Sequence, residues 1–239
     1  VELLEAEWMR DLKNYKVPGP GPVTLAGRLV TLEPYERHAH LEALWTALGG
    51  ADAINELLHY FPQDGFVEPA AFGDWLEVTT RDFGWVTLVF RDNASGRIVG
   101  MASYMRPDTK NGVIEVGSVA HGPDVKRSPL TTEVHYLMAR HVFEDLGYRR
   151  YEWKCHNENE PSKRSAIRYG FSFEGIFRQH MISKGANRDT AWFSMIDGEW
   201  PLLKQAFEAW LSPQNFDADG RQRRRLEDIR AEISEGTAA

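Results

Sequence analysis

The chain has 239 residues, 42% apolar and 26% charged, enough to bury a sizeable core in one large domain or one domain with extensions. Its formal net charge of −7 argues against a general grip on nucleic acid by net positive charge and leaves room only for a local basic patch. The single cysteine, Cys155, excludes a disulfide framework within the chain and a zinc site built on several cysteines.

The opening stretch VELLEAEWMRDLKNYK, residues 1–16, is acidic and amphipathic, with Leu3, Leu4, Trp8 and Leu12 at helical spacing. It reads as a short helix and lacks the basic flank and apolar centre of a signal peptide. VPGPGP, 17–22, reads as an extended linker. RLVTLEPY, 28–35, alternates as a strand does, and 36–48 reads as a helix stopped by Gly49 and Gly50. ADAINELLHYF is a second helical piece, FPQDGF a loop, and 68–83 another helix.

The period then changes. WVTLVFRD, RIVGMASYMR and GVIEVGSVAHG are three strands separated by turn residues, predicting an antiparallel meander. A long helix over 129–146 follows, then a strand at YRRYEWKCH. A short helix at EPSKRSAIRYG stops at Gly170, and two strands are joined at KGAN. A closing helix spans 199–211. The charged end of the chain leaves a helix and an unfolded tail both open. The order predicts an α/β (α+β) chain around one mixed, mostly antiparallel twisted sheet flanked by helices. Its expected divisions are 1–22 (helix and linker), 23–212 (the domain) and 213–239 (the tail). No run of about 18 apolar residues occurs, so no membrane-spanning helix is expected. A free thiol suits the cytoplasm, which is the expected location.

Two stretches suggest chemistry. In DVKRSPLTTE, 124–133, Ser128 and Pro129 read as the cap and first residue of the long helix. Lys126, Arg127 and two threonines surround that start, so it is equally a place where a phosphate could land. In HNENEPSKRSAIRYGFSFEG, 156–175, Asn159 is followed by Ser162, then Gly170 and Phe171; Asn159 or Ser162 ahead of an apolar run also reads as a helix cap.

The spacing Asn159, Ser162, Gly170, Phe171 resembles the second conserved block of GCN5-related N-acetyltransferases, and the order of elements over about 24–200 agrees with it. The closing stretch GIFRQHMISKGANRDTAWFSMIDGEW resembles the end of the RimJ/RimL type, which acetylates protein N-termini and related amines. The resemblance implies acetyl-CoA as donor, a primary amine as acceptor and no metal. It implies that the pyrophosphate lies at the start of the long helix, on Lys126, Arg127, Ser128 and Leu130 and on the Thr131 and Thr132 hydroxyls. Where the family usually has a glycine-rich loop, this chain has Val125-Lys-Arg-Ser128-Pro-Leu130. Val119 and its neighbours would bind the pantetheine arm through main-chain groups, with Asn159 also on the arm. Ser162 sits where relatives place a hydroxyl near the acetyl sulfur. The tyrosine that many others use seven residues after the Asn is here Ala166, and Tyr169 is a poor substitute.

Glu115 is a candidate base and equally a strand carboxylate paired with an arginine; His121 and His135 are alternatives. Whether there is a dedicated base stays open, because an N-terminal amine with a pKa near 8 is already partly neutral at pH 7. The acceptor pocket is expected between HYFPQDGF, with Tyr60, Phe61 and Phe66, and the hairpin carrying Arg178, His180, Lys184 and Arg188. Trp85, Trp153 and Trp192 read as core. Other expectations stay open: a longer acyl-CoA or aminoacyl-tRNA donor, for which the cationic RQRRR at 221–225 speaks, or a ligand-binding module without catalysis. The terminal helices could serve a homodimer.

Overall fold

A computed structural model describes residues 11–61 and 63–237. Eight strands form one sheet. In chain order they are β1 (Leu25–Ala26), β2 (Val30–Pro34), β3 (Val86–Asp92), β4 (Ile98–Asp108), β5 (Val113–His121), β6 (Arg150–His156), β7 (Ser172–Ser183) and β8 (Ala186–Ile196). They lie in the order β1-β2-β3-β4-β5-β6-β8-β7. Every pairing is antiparallel except β5 with β6. Three helices precede β3: α1 (Arg37–Ala47), α2 (Gly50–Leu57) and α3 (Pro69–Phe83). Four follow β5: α4 (Pro129–Arg140), α5 (Glu160–Tyr169), α6 (Trp200–Leu211) and α7 (Leu226–Thr237).

Strand alternation gives the sheet two faces, each with its own core. On one, Leu32, Phe90, Tyr104, Ile114 and Phe193 pack with Val134 and Met138 of α4 and Phe207 of α6. On the other, Val89, Met101 and Ala120 pack under Leu44, Ile54, Phe72 and Leu76 of α1–α3. That second cover ends near β5, leaving the β5–β8 half of its face open in that it lacks these helices; it is polar, and Glu115, Glu152, Thr190 and Ser194 on it are buried.

The buried carboxylate of Glu133 on α4 fixes the N-terminal strands. It accepts N–H bonds from Arg28 (3.0 Å), Leu29 (2.6 Å) and Val30 (3.0 Å). Gly27 is required there, since a methyl group in place of its hydrogen would lie 2.6 Å from Glu133 Oε2.

Apart from the helix expected over 1–16, the expected elements appear within the described residues, with informative differences at the ends. The helix expected over 1–16 lies mostly outside them; residues 12–15 make a turn through Tyr15 N–H to Leu12 O, 3.0 Å. The proline-glycine linker is anchored: Val17 is buried, and Tyr148 donates to Pro18 O at 3.0 Å. The long helix is α-helical only to Arg140 and ends in a wider π turn, His141–Asp145, where Leu146 N–H reaches His141 O. The segment read as a tail folds back. Leu226 and Ile229 are buried, and Arg230 donates to the carbonyls of Arg168 (3.1 Å) and Ile167 (3.2 Å) at the end of α5.

Candidate active site

The site grows from the one parallel junction. The β5–β6 pairing runs from Val113 with Arg150 to Val116 with Trp153 and stops. From Gly117 to His121, β5 has a ladder partner only in β4. Opposite it, the single residue Ala102 faces both Ser118 and Val119, because Met101 pairs with Ala120 and Ser103 with Gly117. Ser118 takes the left-handed conformation, φ 51°, uncommon for a residue with a side chain. The bulge and the missing β6 partner open a wedge whose wall is the backbone around Val119. Ser118 Oγ is buried there without a partner among the described residues.

At the wedge's end, Pro123–Val125 make a helical turn, Lys126 and Arg127 are exposed, and Arg127 is left-handed at φ 64°. The first turn of α4 leaves its N–H groups without intrahelical acceptors, and the helix dipole favours an anion. Ser128 holds the N-cap position, but its hydroxyl caps nothing; Oγ is buried without a partner. The threonine hydroxyls correct the sequence expectation. Thr131 Oγ1 donates back to Ser128 O at 2.9 Å, and Thr132 Oγ1 accepts from Arg168 Nη1 at 3.0 Å in a nearly inaccessible position. Both are occupied inside the fold. The Leu130 side chain is core, so its backbone N–H is what it can offer. Free N–H groups, an orphaned hydroxyl and two exposed cations are a donor set that fits a diphosphate.

Across the wedge stands α5. Asn159 caps it, its Oδ1 accepting from Ser162 N–H at 3.1 Å, and Gly170 closes it in the left-handed region at φ 96°. The cap expected of this stretch is therefore present, and it holds Ser162 in the first turn. Trp153 on β6 faces α5, and its indole N–H donates to Ser162 Oγ at 2.9 Å. Cys155 lies beside them; burial pushes its thiol up, and the hydrogen bond with Ser162 acts against that shift. The indole engages a lone pair of Oγ, so the serine O–H is the donor, toward Cys155 and toward any acceptor brought beside it. The sequence places Trp153 in the core, and it is buried there, but its donor bond is not readable from spacing.

The open face carries a chain of charges. Glu115 is buried and meets Arg106 Nη1 at 2.5 Å and Lys154 Nζ at 3.1 Å. Lys154 also meets Glu152 at 2.6 Å, Glu152 meets Arg150 at 2.8 Å, and Arg150 reaches Glu174 at 2.6 Å. Arg150 holds the Glu174 carboxyl below its usual range. The arginine pairing expected in one of the two readings of Glu115 is present. His121 and His135 do not reach this face. Their rings meet each other edge-on among Phe90, Trp153 and Tyr169. Burial pushes His121 down to about 4 and His135 well below its ordinary value. Tyr169 is buried against the His135 ring, 4.2 Å between centroids.

The two segments expected to form the acceptor pocket do meet. Lys184 Nζ donates to His59 O (3.0 Å), Arg188 Nη1 to Tyr60 O (3.0 Å), and Tyr60 OH to Glu158 O (3.3 Å). Phe61 and Phe66 are corrections: they turn inward against Trp75, and Phe66 also against Phe72. Arg178 lies instead around a recess on the hairpin with Gln179, Asn187 and Asp189. Trp192 is also a correction. It lies on the open face, stacked on Phe177 at 4.4 Å, with Lys154 Nζ 3.8 Å above its ring. His180, which the sequence marks only as a cation, has Nδ1 2.9 Å from Thr190 Oγ1, and burial with the Arg188 charge lowers its pKa.

Comparison with known proteins agrees with this geometry. Residues 29–172 match the model of the acetyltransferase (GNAT) domain. A GCN5-related N-acetyltransferase from Brucella melitensis is 46% identical, with a TM-score of 0.86 over 92% of this chain and 100% of that one. A probable acetyltransferase (GNAT family) from Chromobacterium violaceum is 35% identical, with a TM-score of 0.71 over 78% and 92%. The ribosomal-protein-S5-alanine acetyltransferase of Vibrio fischeri, 17% identical with a TM-score of 0.58 over 74% and 98%, shares the fold. No curated protein matches the chain. Among the described residues no helix is long and apolar enough to cross a membrane, and no His, Cys, Asp and Glu cluster could hold a metal. With its parallel junction opened into a wedge between α4 and α5, and with these relatives, the chain belongs to the GNAT acetyltransferase family.

Proposed function

We propose that this protein is an N-acetyltransferase that moves the acetyl group of acetyl-CoA directly onto a primary amine. The observation that carries this reading is the Ser162 hydroxyl, held by Trp153 at the mouth of the wedge. When bound, acetyl-CoA supplies an activated acyl carbon as a thioester. Lys126, Arg127, the Ser128 hydroxyl and the N–H groups of Leu130 and Thr131 would hold its pyrophosphate. Main-chain groups at Val119 and the free amide NH2 of Asn159 would hold the arm. The neutral amine would enter from the open face and form the N–C bond; as the C–S bond breaks, Ser162 would pass its proton to the sulfur and regain one from solvent, to which the amine nitrogen loses its own.

Glu115, engaged by Arg106 and Lys154, serves in this reading to fix those cations beside the amine rather than to take its proton. An acceptor with a pKa near 8 is partly neutral at pH 7 and can lose its second proton to solvent. Resemblance of the closing hairpin to the RimJ/RimL type supports an amine acceptor of that general class. Nothing favours an aminoacyl-tRNA donor, because the 221–225 cations are partly spent on neighbours: Arg225 on Asp228 at 2.6 Å, and Arg224 on Glu232.

The test is calorimetry with acetyl-CoA, followed by a free-thiol assay against a panel of amines and N-terminal peptides. Binding and amine-dependent thiol release are expected. Absence of binding at millimolar acetyl-CoA overturns the reading.

A further inference from the structure

Arg188 stands apart among the charges of the open face. Arg106, Arg150 and Lys154 each meet a carboxylate, whereas Arg188 has none among the described residues. It is half-buried, and desolvation lowers its pKa, so the fold holds this cation partly out of water without neutralising it. Its attachment is one-sided. Nη1 donates to Tyr60 O at 3.0 Å, Nε is buried without a partner, and Nη2 finds no acceptor among the described residues. The Nε–Nη2 edge left over is one that can receive both oxygens of a carboxylate in parallel hydrogen bonds.

Its position relates that edge to the reaction centre. Arg188, Thr190 and Trp192 alternate on one face of β8; its pairing with β6 runs to Thr190, opposite His156, and Arg188 lies two residues beyond. The Arg188 charge is felt at Cys155, which lies beside Ser162, and at His180 on the facing strand. The Trp192 indole N–H, also buried and unpartnered, is a second donor on the same face. Around them the His59–Tyr60 segment is strapped to the hairpin by Lys184 and Arg188 and to the β6–α5 loop by the Tyr60 hydroxyl. Three straps on one short segment argue for a compact acceptor rather than an extended chain.

We infer that the acceptor is a small amine bearing its own carboxylate, and that Arg188 binds that carboxylate through its Nε–Nη2 edge, aiming the amine at the wedge. This rests on the acetyltransferase reading above and narrows it to a substrate class. It makes Arg188 a specificity determinant.

Matched acceptors test it: amino acids against their carboxamides, and N-terminal peptides with Glu or Gln at the second position. The readout is the ratio of kcat/KM within each pair. The wild-type protein should favour the free carboxylate of the amino acid by about 10- to 100-fold, although the carboxamide has the less basic and more available amine. In Arg188→Met the ratio should fall toward one. Because the ratio is internal, a general loss of activity does not mimic the effect. Should Arg188→Met not fold, Arg188→Gln reads the same quantity, removing the charge and the fork while leaving an N–H donor. A wild-type ratio near one, or a preference that persists in the variants, overturns the inference while acetyl transfer itself stands. A preference confined to the peptide pair overturns the small-acceptor assignment. Failure to bind acetyl-CoA removes the acetyltransferase reading, and this inference with it.

Discussion

The indole N–H of Trp153 donates to the hydroxyl oxygen of Ser162 across 2.9 Å, joining a strand of the sheet to the first turn of α5. The bond sets the direction in which the serine can give its proton. Trp153→Phe keeps most of the aromatic packing and removes the donor. Turnover by the free-thiol assay should fall about 5- to 30-fold, with little change in acetyl-CoA affinity, as expected for loss of one hydrogen bond worth about 1–2 kcal/mol. Ser162→Ala should lower turnover further, and the double variant should be no worse than Ser162→Ala. Additive losses would show that the two residues act separately.

Lys126→Ala with Arg127→Ala should weaken acetyl-CoA binding, and the difference from wild type should shrink as salt rises, because both side chains are exposed. Thr132→Val should behave differently. Its hydroxyl is held by Arg168 inside the fold, so stability should drop by about 1 kcal/mol while acetyl-CoA affinity stays near wild type. Calorimetry and chemical denaturation distinguish the two outcomes. A large affinity loss in Thr132→Val would place that hydroxyl on the ligand.

Glu133 is the acceptor for three backbone N–H groups of the β1–β2 turn. Glu133→Gln preserves its size but removes the charge and one acceptor oxygen. Denaturation should show a loss of about 2–3 kcal/mol, which corresponds to a Tm decrease of roughly 5–10 °C in a chain of this length. An unchanged Tm would mean that water replaces the carboxylate without cost.

Acid should destabilise the protein through His121 and His135. Both rings are neutral when folded, and burial places the folded pKa of His121 near 4 and that of His135 well below its ordinary value. The unfolded rings take up protons near pH 6.5. Below that pH the unfolded state therefore binds more protons, and stability present at pH 7 is lost as pH falls toward 4. His121 contributes about 2 kcal/mol of that loss between pH 7 and pH 5, and His135 acts in the same direction. Urea denaturation of His121→Phe at the two pH values should show a correspondingly smaller difference than wild type.

Glu115→Gln leaves Arg106 and Lys154 without their shared carboxylate. The expected result is lower stability with an unchanged acid limb in the pH profile of kcat/KM. Loss of that limb would instead assign proton removal to Glu115.

Most of this architecture was legible because its signals are local. The alternation of β3–β5, the Gly stops at Gly147 and Gly170, and the Asn159 cap depend on residues within a few positions. The wedge was partly legible, through the spacing of Asn159 and Ser162. What spacing does not reveal is where a side chain's hydrogen bond goes. Thr132 beside Lys126 reads as a phosphate contact until Arg168, 36 residues on, takes its hydroxyl. Trp153 reads as core because its apolar body is core, while its one polar atom does something else. Phe61 and Phe66 read as pocket residues, but α3 lies close enough to draw both against Trp75. The charged segment after 213 looked open to disorder because its few apolar residues are sparse, yet Leu226 and Ile229 suffice to seat α7.

The short parallel junction has a mechanical consequence. Only four residues of β5 are in register with β6, so the sheet is two antiparallel half-sheets joined by a brief weld. A donor lodged in the wedge would touch both halves and act as a second weld. Occupancy should then slow hydrogen exchange on both sides of the seam together, at amides well removed from any the ligand contacts.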